Sequence, residues 1–133
     1  NPVAVTQATN WNAFAGFGIQ RPNRLGDPRL AAQERSTSRW FDTSRFQEAR
    51  QFAIGNSSRN PVRGPGYRAV DIMIGKTLAT SERLRTELRL EAFNVLNTPP
   101  LGAPNGSFGA LAFGSITTAL DPRVFECVLK LHF

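Results

Sequence analysis

Arg83–Asn97, R-L-R-T-E-L-R-L-E-A-F-N-V-L-N, is the stretch whose reading decides the fold. Leu84, Thr86, Leu88, Leu90 and Ala92 are mostly apolar and alternate with Arg83, Arg85, Glu87, Arg89 and Glu91, all charged. A strand sends successive side chains to opposite faces, so this alternation makes one apolar and one ionic face. A helix competes, because Leu84, Leu88, Ala92 and Val95 also recur at spacings of four and three. The charges favour the strand: at helical pitch, steps of two residues would scatter them around the whole circumference. Ordinary strands run about 5–6 residues. Alternation over roughly ten marks a strand crossing an outer membrane, apolar side to lipid and charged side to the lumen. An amphipathic strand in a soluble sheet is the competing interpretation.

Outward from this stretch, residues 68–79 place Val70, Ile72, Ile74 and Leu78 on one face, interrupted by Lys76. Ala79-Thr80-Ser81-Glu82 is a tight connection, so residues 68–97 are expected to hold an antiparallel hairpin. The run V-F-E-C-V-L-K-L-H-F puts Phe125, Cys127, Leu129, Leu131 and Phe133 on one face. Glu126, Lys130 and His132 lie opposite, with Val128 the exception. Phe113–Ala119 reads as a short strand that turns at Leu120-Asp121-Pro122 into this last one, a terminal hairpin over 112–133. Residues 1–20 hold one or two strands, from P-V-A-V-T-Q and from the period-two set Trp11, Ala13, Ala15, Phe17 and Ile19. Residues 21–67 and 96–111 are Pro/Gly-rich loops. In the first, Leu30–Arg35 and Thr43–Arg50 can each hold a helical turn, and Gly64-Pro65-Gly66 is a turn. Trp40, Phe41 and Phe46, with Phe52, are loop anchors that pack against something rather than belong to a disordered linker. The expected fold is all-β, an antiparallel sheet of about five long strands with long Pro/Gly-rich loops.

Composition narrows the function. The 133 residues suit one domain, and no apolar run approaches the ~20 residues of a membrane helix. Any crossing is therefore by strands. The chain begins at Asn1 without Met or a leader, and so reads as a processed product or a piece of something longer. Net charge is +6, with the basic residues almost all arginine. These arginines are dispersed among acidic residues, without the patch nucleic-acid binding needs; they suit a polar lumen or a phosphate-bearing lipid boundary. The single Cys127 excludes an internal disulfide. His132 has no orienting partner nearby in sequence, and Asp27, Asp42, Asp71 and Asp121 lack metal-ligand spacing. With no phosphate loop or nucleophile elbow, the chain is expected not to be an enzyme, with no catalytic residue, no metal site and no cofactor. The row Arg83, Arg85, Glu87, Arg89 and Glu91 reads first as a ladder of cross-strand ion pairs and otherwise as the lumen face of a ligand path. Phe93, Phe113 and Phe133 fit interfacial girdles.

Six pieces in order then resemble the carboxyl-terminal end of TonB-dependent outer-membrane receptors, particularly those with a carboxypeptidase-regulatory-like domain. They are R-P-N-R-L-G-D-P, R-W-F-D-T-S-R-F, S-S-R-N-P-V-R-G-P-G-Y, L-R-L-E-A-F-N-V-L-N, F-G-S-I-T-T-A-L-D-P-R and V-L-K-L-H-F, and they cover nearly the whole chain. The resemblance implies the terminal part of a transmembrane β-barrel in the outer membrane, importing a ligand with energy from the inner membrane. It implies Phe125, Leu129, Leu131 and Phe133 as the signal for the barrel-assembly machinery, and the remainder of the barrel and a plug as partners. Cys127 departs from the simple apolar residue usual at its position, and the plug and the TonB-contacting segment are not in this sequence. About five strands cannot close a barrel, which needs about eight, so the outer strands must pair elsewhere. Copies of the chain itself are the alternative partner, in a structural fragment assembling outside the cell into an oligomer or fibre. If the carboxyl end faces the periplasm, residues 79–82 and 120–122 are expected outside and 96–111 in the periplasm. Residues 9–67 then also fall in the periplasm, where turns are short, unless a further strand is hidden there.

Overall fold

Arg85–Phe93 (β7) lies at the centre of a three-stranded antiparallel sheet, between Ile72–Ala79 (β6) and Val124–His132 (β9). The computed structural model describes residues 1–11, 18–79 and 84–133. Within them the fold is all-β: the helical turns are short 3-10 segments, and no helix is long and apolar enough to cross a membrane. The described residues fall into two units, residues 67–100 with 120–133 and residues 1–66 with 101–119.

The three long strands make up the first of these. Register runs from Ile72↔Ala92 to Ala79↔Arg85 on one side of β7, and from Phe93↔Val124 to Arg85↔His132 on the other. β6 and β7 are thus joined through residues 80–84, at the end of the sheet where β9 finishes. At the opposite end, Phe93 leads out through Asn94 and Asn97, both left-handed at φ +49° and +50°. Asparagine tolerates that conformation better than most residues. The Asn94 amide N–H donates to Asp71 Oδ1 at 2.8 Å, and its own Oδ1 accepts from the Thr98 N–H at 3.3 Å. Asn97 N–H closes the turn on the Asn94 carbonyl at 2.8 Å, and Val95 N–H donates to the Val70 carbonyl ahead of β6 at 2.9 Å.

The other unit is held by two-residue strands. Pro2–Val3 (β1) pairs antiparallel with Val62–Arg63 (β5), and Asn23–Arg24 (β3) pairs antiparallel with Phe46–Gln47 (β4). Thr6–Gln7 (β2) pairs in parallel with Ser107–Phe108 (β8). Strand alternation buries Val3, Val5 and Gln7 while Ala4 faces out. Val3, Val5, Phe41, Phe46 and Val62 form the core, with Trp40, Phe108 and Phe113 packed on it. Where Pro and Gly interrupt the ladders, side-chain amides satisfy the backbone. Gln7 Oε1 accepts from the Ala49 N–H at 2.9 Å, and Gln20 Nε2 donates to the Arg50 and Ala53 carbonyls at 3.2 and 3.1 Å. Gly106 is required where β2 passes, since a Cβ there would sit 2.0 Å from the Ala4 carbonyl oxygen. The helical turns expected in Leu30–Arg35 and Thr43–Arg50 are 3-10 turns at Ala32–Glu34 and Thr43–Arg45.

Three expectations change. Among the described residues three strands are long, not about five; the period-two set at 11–19 falls largely on residues 12–17, outside the described residues. Phe113–Ala119 is not a strand, and the terminal hairpin over 112–133 does not form. Instead Phe113 N–H and Ser115 N–H close turns on Ala110 and Ala112, each at 3.0 Å, and Ala119 makes an isolated bridge to Leu101. The cause is local: Gly114 adopts φ +83°, which bends the chain, and Phe113 packs its ring on Phe41. β9 therefore pairs with β7 across the intervening residues. Removing one crossing also reverses the topology. Ala79 and Arg85 lie at the His132 end of the sheet, whereas Ile72, Phe93 and Val124 lie at the other end.

Candidate functional site

The two faces of the β6-β7-β9 sheet are the site. The cross-strand rows alternate between a mostly apolar and a mostly polar face. On one face the rows are Leu78–Thr86–Leu131, Lys76–Leu88–Leu129, Ile74–Leu90–Cys127 and Ile72–Ala92–Phe125. The apolar set recognised in each strand separately thus becomes one continuous surface. It is uncovered: Ile74 is 66% exposed, Phe125 67%, Leu129 61% and Leu131 55%. Burial of such side chains is worth about 1.5–3 kcal/mol each, so a sheet leaving a whole apolar face bare is built for apolar surroundings. Cys127 lies on this face, opposite Leu90, as an exposed free thiol.

The other face carries Arg85–His132, Thr77–Glu87–Lys130, Gly75–Arg89–Val128 and Met73–Glu91–Glu126. Arg83 lies outside the described residues. Arg89 bridges along its own strand, its guanidinium 2.8 Å from Glu87 and 3.3 Å from Glu91. The expected cross-strand ladder is therefore largely a within-strand chain, because alternate residues of one strand share a face and Val128 offers Arg89 no partner across. Across the strands, His132 Nε2 lies 3.9 Å from Glu87. Pairs of this kind, open to solvent, are strongly screened and contribute little. They fix the side chains' direction more than they stabilise the fold.

At the Phe93 end a cleft of about 360 Å³ opens, lined among others by Tyr67, Asp71, Asn94, Asp121 and Glu126. Asn94 and Asn97 order its rim; Asn97 Oδ1 accepts the Arg123 N–H at 3.2 Å. Neither asparagine was singled out from sequence, although the N-V-L-N spacing on a strand end was the available signal. Among the described residues, His, Cys, Asp and Glu form no group of three or more able to hold a metal ion.

The loop anchors belong to the other unit. Phe41 is 1% and Phe46 5% exposed, with ring centroids 5.9 Å apart in a T-shaped contact. Trp40 packs beside them and donates its indole N–H to the Arg63 carbonyl at 2.8 Å. Their partners Phe108 and Phe113 lie far downstream, and sequence gave no means of naming them. Phe52 is excluded from this cluster, 77% exposed at φ +62°.

An all-β chain whose longest strands form a sheet with one bare apolar face and one ionic face has the make-up of an outer-membrane barrel protein. The family model for the outer membrane beta barrel domain matches residues 1–126. The chain belongs to that family, which places it in the bacterial outer membrane. No curated protein and no solved structure matches it.

Proposed function

We propose that this chain is the carboxyl-terminal part of the barrel of a TonB-dependent receptor, of the type bearing a carboxypeptidase-regulatory-like domain. It takes part in ligand uptake across the outer membrane, and catalyses no reaction. The observation that carries this reading is the three-strand register, which assembles a continuous apolar face and sets Arg85, Glu87, Arg89 and Glu91 together on the opposite side; on this reading the first meets lipid and the second lines the lumen. The ordered motifs shared with these receptors supply the finer assignment. The barrel-assembly machinery reads Phe125, Leu129, Leu131 and Phe133, and the outer edges of β6 and β9 are completed by the rest of the barrel. Phe133→Ala is expected to lower insertion into outer membranes several-fold in a pulse-chase assay, and unchanged insertion would count against the assembly role.

A second reading, assembly of copies through strand edges, is favoured by one fact: among the described residues neither β6 nor β9 has a strand on its outer side. Such edges template pairing. Size measurement separates the two. Extraction only with detergent, within a large barrel, supports the receptor; detergent-free fibres support self-assembly.

A further inference from the structure

The cleft beside Phe93 carries a charge opposite to that of the chain around it. The chain has a net charge of +6, yet no lysine, arginine or histidine among the described residues lines this cleft. Tyr67, Phe93 and Pro122 supply apolar wall, and Asp71, Asp121 and Glu126 supply carboxylates. Its volume, about 360 Å³, is that of a small-molecule site. All its lining residues belong to the unit of residues 67–100 with 120–133.

These carboxylates are short of cations. Glu126 stands directly opposite Glu91 in the β7-β9 register, an unfavourable placement for like charges. Arg89, one row away on the same face, is already shared between Glu87 and Glu91 at 2.8 and 3.3 Å. Arg123 lays its guanidinium over the Phe125 ring at 5.1 Å. Among the described residues no salt bridge reaches Asp71, Asp121 or Glu126. Two of the acidic segments are nonetheless held in place by Asn94, which is only 7% exposed. Its N–H donates to Asp71 Oδ1 at 2.8 Å, and its Nδ2 to the Asp121 carbonyl at 3.4 Å. The three acids do not converge on one point, since among the described residues no such group of three could hold a metal ion. Negative charge spread along a cleft with apolar walls suits a cation that is equally spread, with ammonium groups on a hydrocarbon stem. Carboxylates bind ammonium by charge-assisted hydrogen bonds, and aromatic faces attract it as well.

We infer that this cleft is a binding site for a small linear diamine, with Asp71, Asp121 and Glu126 as counter-charges and Tyr67 and Phe93 against the stem. The site is complete within one unit and does not rest on the barrel reading. The test titrates the full chain, refolded in detergent micelles, with cadaverine and with the linear diol of the same length, by isothermal calorimetry. The diamine binds at least about tenfold more tightly than the diol, and the margin narrows as salt rises. Asp121→Asn and Glu126→Gln each weaken cadaverine binding about fivefold with strand content by circular dichroism unchanged, and Asp27→Asn in the other unit leaves binding as it was. If Asp121→Asn disturbs the fold, Glu126→Gln at an exposed strand position carries the test. Equal binding of diamine and diol, or cleft variants that bind like the parent chain, overturns the inference and leaves the barrel reading standing on its strand faces. Cadaverine binding by a chain that fails to enter membranes upholds the site and rejects the barrel reading.

Discussion

Asp42 organises the chain around it through one carboxylate. It accepts the Ser44 hydroxyl at 2.8 Å and the Ser44 N–H at 3.2 Å, while Arg39 and Arg45 each approach to 3.2 Å. The Ser44 hydroxyl above all, with the Ser44 amide and Arg39, holds its pKa below the ordinary carboxylate value. Because the folded pKa is depressed, this stabilisation is complete above the unfolded value of about 3.9 and disappears as pH falls through the folded one. Hydrogen exchange of the Thr43–Arg45 turn is therefore expected to accelerate in that acid range. Asp42→Ala should cost about 1 kcal/mol at neutral pH and remove the acid limb; an acid limb that survives the substitution would assign it to another group. Gly114 is the second residue on which local order depends. At φ +83°, with a Cβ position 2.5 Å from Thr43 Cγ2, Gly114→Ala should cost on the order of 1–3 kcal/mol, read as a lowered thermal midpoint.

At the scale of elements, the three long strands test which solvent each face was built for. Leu129→Arg on the apolar face should destabilise the folded form by about 2–4 kcal/mol in lipid vesicles if it sits near mid-membrane, measured by urea titration. On a soluble sheet the same exposed position would tolerate arginine within about 0.5 kcal/mol. Val128→Glu, one residue away but on the ionic face opposite Arg89, should be neutral or slightly stabilising. Equal effects at both positions would reject the division into lipid and lumen faces. These strands were legible in sequence because period-two alternation is a local signal that register only has to align. Phe113–Ala119 carries a similar signal and misled, since Phe113 and Ile116, three residues apart, both serve packing rather than a strand face, with Gly114 bending the chain between them. Trp40, Phe41 and Phe46 were recognisable as anchors by composition alone. Their pairing with Phe108 and Phe113 depends on contacts across more than half the chain, which no local pattern encodes. The Arg89 bridges to Glu87 and Glu91 were foreshadowed in the alternation, but Val128 opposite, and hence the absence of a full ladder, emerged only with the register.

At the scale of the molecule, the decisive quantity is the number of crossings between Ile72 and the carboxyl end. Counting Phe113–Ala119 as a strand placed residues 9–67 in the periplasm, in conflict with the short turns found there. Without that crossing, Ala79 and Arg85 fall on the His132 side of the sheet and Ile72, Phe93 and Val124 on the other, so the strand ends joined by a short stretch of sequence and those joined by long ones lie at opposite ends. This arrangement makes a prediction that no rearrangement of side chains can mimic. In a Cys127→Ala background, which removes the only native thiol, Ser58→Cys and Ser81→Cys report the two ends separately. Ser58 is exposed and belongs to the unit of residues 1–66 with 101–119, whereas Ser81 falls between β6 and β7 in sequence. A membrane-impermeant maleimide applied to intact cells should modify Ser58→Cys and spare Ser81→Cys, and permeabilising the outer membrane should make both reactive. The opposite pattern would mean that the strand count still misses a crossing. Equal labelling of both in intact cells would instead remove the membrane from between them, the outcome that a self-assembled fragment outside the cell requires.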